Sequence, residues 1–428
     1  MFNWKNKKLL ILGATNLLIE AVQLAKANGA YVIAMDYLEN SPAKKYADEA
    51  QLISISDISK VVEFIKARKI DGVFTSFTDS ILPYYVEIAN QANLPCFLTK
   101  EQVLFSNDKS FFKDTCKKFN VPVIPEFSDY SKLDFPILVK PVDSSGSRGI
   151  STCNNYEEFE KSKNFALEYS KQKKIIVEKF MNCEEITISY TFQDGEIYLT
   201  SMHDRFFSTE QKNITKVPNC YIYPSKYLDK YIETVNERVI DMLKALDFKN
   251  GKIFLQAFAD DNGFYIYEAG VRLNGCKIYN VINNHCGYNE LERIINYALT
   301  GTMGKPNLSE CANPKFNKYS TTLSYLVRPG VIGKIEGLDK IKNIEGYIHS
   351  TLWHNVGETI PESYKGTLSQ TVLRVSYSAN KLSKLIKIIK QANEAFKVQD
   401  ENNNNMLLKP YEPAELANIY SEETIYAK

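Results

Sequence analysis

Two stretches of the chain carry charged residues at the ends of apolar runs, where a nucleotide could bind. The run Leu138–Val139 ends in Lys140, and a turn rich in serine and glycine follows at residues 143–149. Small residues leave backbone N–H groups unobstructed, and cations neutralise phosphate oxygens. This composition is typical of a loop that covers a nucleoside triphosphate, and an ordinary flexible hairpin loop has it as well.

A second stretch offers oxygen ligands for a metal ion. Gln256 and Glu268 are twelve residues apart and are joined by the turn Asp260-Asp261-Asn262-Gly263. If this turn closes a hairpin, the two side chains are antiparallel neighbours on one face. Hard oxygen atoms of this kind suit Mg²⁺.

His203 and Arg205, separated by Asp204, come after a predicted strand and are candidates for substrate contact. The planar guanidinium of Arg205 matches a substrate carboxylate with two parallel hydrogen bonds. A single histidine is more often structural than catalytic, and the four histidines form no H-E-x-x-H motif. Zinc-dependent hydrolysis is therefore not predicted.

The overall composition excludes several classes of protein. Of 428 residues, 52 are Lys or Arg and 51 are Asp or Glu, so the net charge is +1 and no nucleic-acid partner is expected. The apolar run Leu9–Leu12 is too short for a signal segment or a membrane span. The eight cysteines contain no C-x-x-C pair. We therefore expect a cytoplasmic protein with reduced thiols and without membrane partners.

The order of the predicted elements indicates several domains of α/β and α+β class. Apolar strands alternate with helices over residues 1–100, which predicts a doubly wound parallel sheet. Residues 101–310 combine hairpins with helices, with a lid subdomain at about 120–185. Strands followed by one amphipathic helix predict a small α+β domain at 311–428.

Four separated segments together resemble the ATP-grasp superfamily. They are Asn107-Asp108-Lys109, the serine- and glycine-rich loop, Ile176-Val177-Glu178-Lys179-Phe180-Met181 and Tyr267-Glu268-Ala269-Gly270-Val271-Arg272. The resemblance implies a pre-ATP-grasp domain followed by an ATP-grasp domain of two α+β subdomains, with ATP and Mg²⁺ as cofactors and Mn²⁺ as a substitute. The ATP-binding residues that it implies are Lys109, Lys140, Ser145, Ser147, Glu178, Lys179, Phe180, Met181 and Glu185.

The same resemblance assigns roles around the metal site, with one departure. It implies Gln256 and Glu268 as metal ligands, Glu268 and Arg272 as catalytic residues, and Asn274 and Gly275 as substrate contacts beside His203 and Arg205. The usual third metal ligand is an asparagine two residues after the glutamate, and this chain has Gly270 there. Water or Asn274 would complete the shell, one metal would be held weakly, or the site would be inactive.

By this resemblance we expect a carboxylate–amine ligase, similar to L-amino-acid ligases and to purine-pathway ligases. ATP would phosphorylate a carboxylate, an amine would displace the phosphate, and ADP would be released. Small-molecule carboxylates and amines are the expected partners, and a homodimer is left open. Two alternatives are phosphorylation of bicarbonate, as in carbamoyl-phosphate-synthetase-like or carboxylase-like proteins, and a catalytically inactive ATP-binding regulator.

Overall fold

A four-stranded parallel sheet forms the N-terminal part of the protein. The computed structural model describes residues 2–144, 148–207 and 217–420. Strand order is β3-β2-β1-β4, with all three pairings parallel. The elements are β1 (Lys8–Leu12), α1 (Ile19–Ala27), β2 (Tyr31–Met35), β3 (Glu49–Gln51), α2 (Ile58–Arg68), β4 (Gly72–Phe74) and α3 (Leu82–Ala92). Because Leu9–Leu12 are fully buried, helices must cover both faces of this sheet.

A small antiparallel sheet carries the lysine and glutamate predicted to bind ATP. Its order is β6-β5-β7, and it packs on α6 through Phe159 and Ala166. Two helices precede it, and a capping box of Thr99 and Gln102 begins the first of them. The elements are α4 (Lys100–Asn107), α5 (Lys109–Lys118), β5 (Ile137–Pro141), β6 (Ser151–Cys153), α6 (Tyr156–Tyr169) and β7 (Ile175–Lys179).

An eight-stranded antiparallel sheet forms the centre of the molecule. Its strand order is β12-β11-β8-β9-β10-β13-β17-β15, and β14 lies in a separate sheet of order β16-β14-β18. The strands are β8 (Glu184–Gln193), β9 (Glu196–Phe206), β10 (Cys220–Tyr223), β11 (Gly251–Asp260), β12 (Gly263–Gly270), β13 (Tyr319–Leu326), β14 (Gly330–Glu336), β15 (Tyr347–Leu352), β16 (Thr359–Ile360), β17 (Thr371–Ala379) and β18 (Lys397–Asp400).

Helices connect these strands and cover the large sheet. Between β10 and β11, α7 continues through a π-helical turn into α8. The helices are α7 (Leu228–Tyr231), the turn Ile232–Asn236, α8 (Glu237–Ala245), α9 (Ile278–Cys286), α10 (Glu290–Thr300), α11 (Leu338–Asn343), α12 (Leu382–Ala395) and α13 (Leu416–Ile419). Short 3₁₀ helices lie at Asn16–Leu18, Pro42–Tyr46, Asp79–Ile81, Tyr130–Lys132, Leu308–Glu310, Glu362–Tyr364, Leu368–Gln370 and Pro413–Glu415.

Turn chemistry sets the register of the hairpins that hold the candidate site. Asp194 and Gly195 have φ of 55° and 89°, as a two-residue turn that matches strand twist requires. In the second hairpin, Asp260 Oδ1 accepts hydrogen bonds from the N–H groups of Asn262 (2.8 Å) and Gly263 (3.0 Å). These turns place Gln256 opposite Glu268 and Thr187 opposite His203.

The predicted fold class is confirmed: a parallel sheet precedes mixed α+β parts built on antiparallel sheets. The division into three domains stays a prediction. Strands from both sides of the predicted boundary at residue 310 share the large sheet, since β10 pairs with β13.

Candidate active site

A cleft of about 790 Å³ lies between the N-terminal sheet and the predicted nucleotide-binding residues. Thr15, Asp36 and Asp79, which follow the carboxyl ends of β1, β2 and β4, line one side. Lys109 and Glu268 line the other side. Parallel sheets commonly place ligands at the carboxyl ends of their strands. One wall of the cleft is therefore suited to a small-molecule substrate, and the other carries charged side chains that could hold phosphates.

Lys140 and Glu178 face one another within the small sheet. Lys140 Nζ lies 2.6 Å from Glu178 Oε2, and Lys113 Nζ forms an ion pair with Glu178 Oε1. Lys113 also pairs with Glu126 at 3.0 Å. Glu178 is fully buried, so its charge is balanced by lysines rather than by water. This ion pair fixes the position of Lys140 near the end of β5, just before the serine- and glycine-rich loop.

Lys109 begins α5 and reaches toward the same loop. Its Nζ donates a hydrogen bond to the Ser144 carbonyl oxygen at 2.5 Å. Burial, followed by the nearby Lys140 charge, lowers the pKa of Lys109. A polyanion beside these two ammonium groups would relieve their repulsion. Ser145 and Ser147, which the sequence assigns to ATP, lie outside the described residues.

The segment after Glu178 leaves the small sheet with polar backbone groups already engaged. The N–H groups of Lys179 and Phe180 donate to the carbonyl oxygens of Pro125 (3.0 Å) and Pro136 (3.2 Å). The side chains of Lys179 and Phe180 are exposed, and that of Met181 is half-buried. These contacts hold the segment at the edge of the small sheet, where its role toward adenine stays a prediction.

Glu185 and Arg205, predicted to serve ATP and substrate separately, are paired with each other. Arg205 Nη1 lies 2.8 Å from Glu185 Oε2 and donates to the Tyr267 hydroxyl at 2.9 Å. The Tyr267 hydroxyl in turn donates to Gln256 Oε1 at 3.1 Å. This chain of contacts connects the predicted ribose ligand to the predicted metal ligand.

Glu268 projects into the cleft and lies opposite Gln256 in the β11–β12 register. Desolvation by the surrounding protein raises the pKa of Glu268, and the Asp79 carboxylate raises it further, whereas Lys109 and Arg272 lower it. A carboxylate and an amide oxygen suit Mg²⁺ that is also bound by phosphates. The donor set present fits such an ion.

The glycine that replaces the usual third ligand is required by packing. A Cβ atom at Gly270 would lie 2.3 Å from Phe254 Cζ, well inside van der Waals contact. The Phe254 ring also lies 5.1 Å from the guanidinium carbon of Arg272. Phe254 therefore fills the space that a side chain at residue 270 would occupy.

Arg272 and Asn274 lie on the segment that leaves β12 toward the N-terminal sheet. Arg272 Nε donates to Asp79 Oδ1 at 2.6 Å, and its Nη2 lies 2.5 Å from Asp79 Oδ2. Asn274 is buried and its Oδ1 accepts a hydrogen bond from the Cys276 thiol at 2.9 Å. The contacts draw Arg272 to the cleft wall and engage the Asn274 oxygen that could otherwise reach a metal ion.

His203 is fully buried on the same face of the large sheet, between two tyrosine rings. Its ring centroid lies 4.6 Å from that of Tyr223 and 5.5 Å from that of Tyr221. Burial, and then the Arg205 and Lys252 charges, place the pKa of His203 well below its usual value. A neutral imidazole is thus expected at neutral pH.

Sequence reasoning missed two charged groups that the fold brings beside this site. Glu20 of α1 accepts hydrogen bonds from Lys277 Nζ (2.9 Å) and the Tyr279 hydroxyl (2.8 Å). Arg374 of β17 donates to the Gly275 carbonyl oxygen. No local motif marks either residue, because Glu20 is 257 positions from Lys277 in the chain and Arg374 is 99 positions from Gly275.

Comparisons with known proteins identify the type of domain that carries the cleft residues Lys171, Tyr267 and Glu268. Residues 133–280 match the ATP-grasp domain family. This chain contains an ATP-grasp domain. Formate-dependent phosphoribosylglycinamide formyltransferase of Prochlorococcus marinus is 31% identical over 42% of this chain and 49% of that protein. The same enzyme of Bacillus velezensis is 27% identical over 43% of this chain and 51% of that protein. The chain spans about half the length of the curated relatives it matches.

Solved structures share the fold of this protein over most of the chain. Phosphoribosylglycinamide synthetase from Anaerococcus prevotii has a TM-score of 0.73 and 20% identity, covering 92% of this chain and 99% of that chain. L-amino acid ligase from Bacillus licheniformis has a TM-score of 0.73 and 19% identity with the same coverage.

A search of the described helices for a long apolar segment that could span a membrane found none.

Proposed function

We propose that this protein is an ATP- and Mg²⁺-dependent ligase that activates a carboxylate as an acyl phosphate and joins it to an amine. The observation that carries this proposal is the cleft itself, in which Lys109 and Glu268 face the loops of the parallel sheet. Cations on one wall and a metal-binding carboxylate beside them are what phosphoryl transfer requires.

In this proposal, Lys109 and Lys140 position the phosphates of ATP. Lys140 is oriented by Glu178 from below, and Lys109 is held against Ser144 at the mouth of the serine- and glycine-rich loop. Glu268 and Gln256 would hold Mg²⁺, which when bound neutralises charge on the transferred phosphoryl group. Glu178, Lys179, Phe180, Met181 and Glu185 would surround adenosine, with Ser145 and Ser147 over the phosphates.

The reaction would proceed in two displacements. A substrate carboxylate oxygen attacks the γ-phosphorus, the bond from that phosphorus to the β–γ bridging oxygen breaks, and ADP leaves. The amine nitrogen then attacks the acyl carbon, the C–N bond forms, and phosphate leaves with the bond electrons while the amine loses a proton to solvent. Arg272, held by Asp79, would stabilise negative charge on the phosphoryl group in both steps.

The curated relatives bear on the class of carboxylate. Their name describes a formate-dependent formyl transfer to phosphoribosylglycinamide. This supports a small carboxylate as the group that is activated, with the loops after β1, β2 and β4 receiving the amine. A cytoplasmic location, a small-molecule amine partner and a homodimer are parts of the same proposal.

ADP formation tests the proposal directly. The protein with ATP and Mg²⁺ would be assayed against formate, acetate, bicarbonate and pooled amino acids, each with and without amines, with hydroxylamine added to trap an acyl phosphate. We expect ADP only when a carboxylate is present, and an amide product when an amine is added. ADP formation with bicarbonate alone would replace the proposal with bicarbonate phosphorylation, and tight ATP binding without turnover would replace it with a regulatory role.

A matched pair of variants assigns the activity to the cleft. Glu268→Gln should lower ADP formation by roughly 100- to 1,000-fold, because it removes the anionic ligand of the Mg²⁺ that would neutralise the transferred phosphoryl group. Glu233→Gln, at an exposed position of the π-helical turn, should retain it. Equal activity of both variants would contradict the role of Glu268.

A further inference from the structure

Arg374 is a buried arginine whose charge has no carboxylate partner among the residues that the structure describes. It is 3% exposed. Its Nε donates to the Ser324 hydroxyl at 2.9 Å, its Nη1 donates to the Gly275 carbonyl oxygen, and its Nη2 is buried without a hydrogen-bond partner. Burying a guanidinium without a counter-charge costs free energy of folding, and a bound anion would offset that cost.

Trp353 supplies a second unpartnered donor beside this guanidinium. The guanidinium carbon of Arg374 lies 4.9 Å from the centre of the Trp353 ring, and the indole Nε1 is also buried without a hydrogen-bond partner. Both groups can only donate hydrogen bonds. Two unused donors on neighbouring side chains are suited to a ligand with two acceptor oxygens.

Among the residues that the structure describes, the charges around this pair leave an excess of one positive charge. Lys277 lies close enough for the Arg374 charge to lower its pKa, after the larger effects of burial, which lowers it, and of Glu20, which raises it. Lys277 is paired with Glu20 at 2.9 Å. Two cations therefore share one carboxylate, and a monoanion would balance them.

The position of the pair connects it to the cleft. Gly275 lies three residues after Arg272, and a Cβ atom there would lie 4.0 Å from both Arg374 Nη1 and Leu17 Cδ1. Asn16, the neighbour of the cleft residue Thr15, donates to the Trp353 carbonyl oxygen at 3.2 Å. Through Gly275 and Asn16 the pair thus contacts the segment after Arg272 and the loop after β1, whose residue Thr15 lines the cleft.

We propose that Arg374 and Trp353 form a subsite for a carboxylate group of the amine substrate, which makes the accepted amine a molecule of amino-acid type. This deepens the proposed function and rests on it. The flat guanidinium and indole surfaces suit a planar anion, and two donors match its two oxygens. Substrate entry would separate Asn16 from Trp353.

Tryptophan fluorescence offers a readout that does not depend on turnover. The chain has two tryptophans, and Trp4→Phe would leave Trp353 as the single reporter. In this background the protein, with ADP and Mg²⁺ present, would be titrated with acetate, glycine and inorganic phosphate. Acetamide and glycinamide, in which a neutral amide replaces the carboxylate, serve as matched probes. Ionic strength would be kept constant with chloride. We expect a saturable change with the two carboxylates and none with the two amides.

Substitutions of Arg374 separate the subsite from the rest of the site. Arg374→Lys keeps the charge but loses the planar fork, and should weaken the apparent Kd for acetate by about tenfold or more. Arg374→Met should abolish the response, and Arg238→Gln, at a half-buried position of α8, should not change it. If Arg374→Met does not fold, Arg374→Lys alone decides the matter.

The outcomes distinguish this inference from the proposed function. A response to inorganic phosphate but not to acetate, or the same response in wild type and Arg374→Lys, would overturn the carboxylate subsite while ADP formation stays intact. Loss of a response to every probe would overturn it as well. A saturable acetate response that persists in a protein without any ADP formation would instead remove the ligase proposal.

Discussion

Lys140 Nζ and Glu178 Oε2 lie 2.6 Å apart in an interior where Glu178 has no solvent exposure. The pair ties the strand that begins the serine- and glycine-rich loop to the strand that ends at the predicted adenine segment. Because Lys113 shares the same carboxylate, one buried acid holds two lysines.

Glu178→Gln is therefore predicted to destabilise the protein strongly. It would leave Lys140 and Lys113 in the interior with one acid fewer, and breaking a buried pair in this way costs about 3–5 kcal/mol. The measurement is urea unfolding. Glu157→Gln, which breaks an exposed pair with Lys161, is the control and should leave the midpoint unchanged. Similar midpoints for both variants would contradict a structural role for the buried pair.

Gly270→Asn is predicted to be destabilising because of Phe254, rather than because of backbone strain. The new Cβ would lie 2.3 Å from the Phe254 ring, and overpacking of this kind costs about 1–3 kcal/mol. Phe254→Ala makes room, so the double variant should lose less stability than the two single changes added together. Additive losses in a double-mutant cycle would show that Phe254 does not determine the residue at 270.

Asp79→Asn is predicted to lower turnover without weakening nucleotide binding. Asp79 holds Arg272 through two hydrogen bonds, and the amide would hold it through fewer. Arg272 would keep its charge but lose its orientation, so kcat for ADP formation should fall by about tenfold or more. Asp71→Asn, at the pair with Lys7 on the same sheet, serves as the control. An unchanged kcat would remove Asp79 as a positioning residue.

Asp204 is predicted to make stability fall as pH rises through the mildly acidic range. It is buried, and burial raises its pKa from 3.8 to about 6 despite hydrogen bonds from Ser225, Tyr420 and the Lys226 N–H. Since the folded pKa is the higher one, the unfolded chain ionises first. The contribution of Asp204 to the free energy of unfolding is therefore fully present below pH 3.8. It falls by about 3 kcal/mol as the pH rises from 3.8 to about 6.

The comparison with Asp204→Asn isolates this effect. The amide does not titrate, so the free energy of unfolding of wild type minus that of the variant should decrease from pH 4 to pH 6 and then level off. Urea unfolding at several pH values gives this difference. A difference that is constant with pH would contradict the raised pKa.

Much of the fold could be predicted from the sequence where local chemistry is decisive. The Asp194-Gly195 and Asp260–Gly263 turns specify their hairpins, and these hairpins place Gln256 opposite Glu268. Alternating strands and helices predicted the parallel sheet. The helix Lys100–Asn107 was missed although its start carries a recognisable capping pair, Thr99 and Gln102.

The rest of the site depends on contacts between distant parts of the chain. Nothing near Gly270 in the sequence shows that Phe254 fills the space beside it. The sequence predicts Arg205 as a substrate ligand, yet its guanidinium forms an ion pair with Glu185 of the neighbouring strand β8. Arg374 becomes notable only when its neighbours on β13 and β15 are known, since the absence of a carboxylate partner among the described residues is a property of packing.

The location of metal and nucleotide in a crystal tests the central claim most directly. The protein would be crystallised with Mn²⁺ and a non-hydrolysable ATP analogue, and the anomalous signal of manganese measured. We predict a peak within about 2.0–2.6 Å of oxygen atoms of Glu268 and of the analogue, with the phosphates beside Lys109 and Lys140. A nucleotide bound elsewhere, or a cleft that holds the analogue with manganese away from Glu268, would contradict the account.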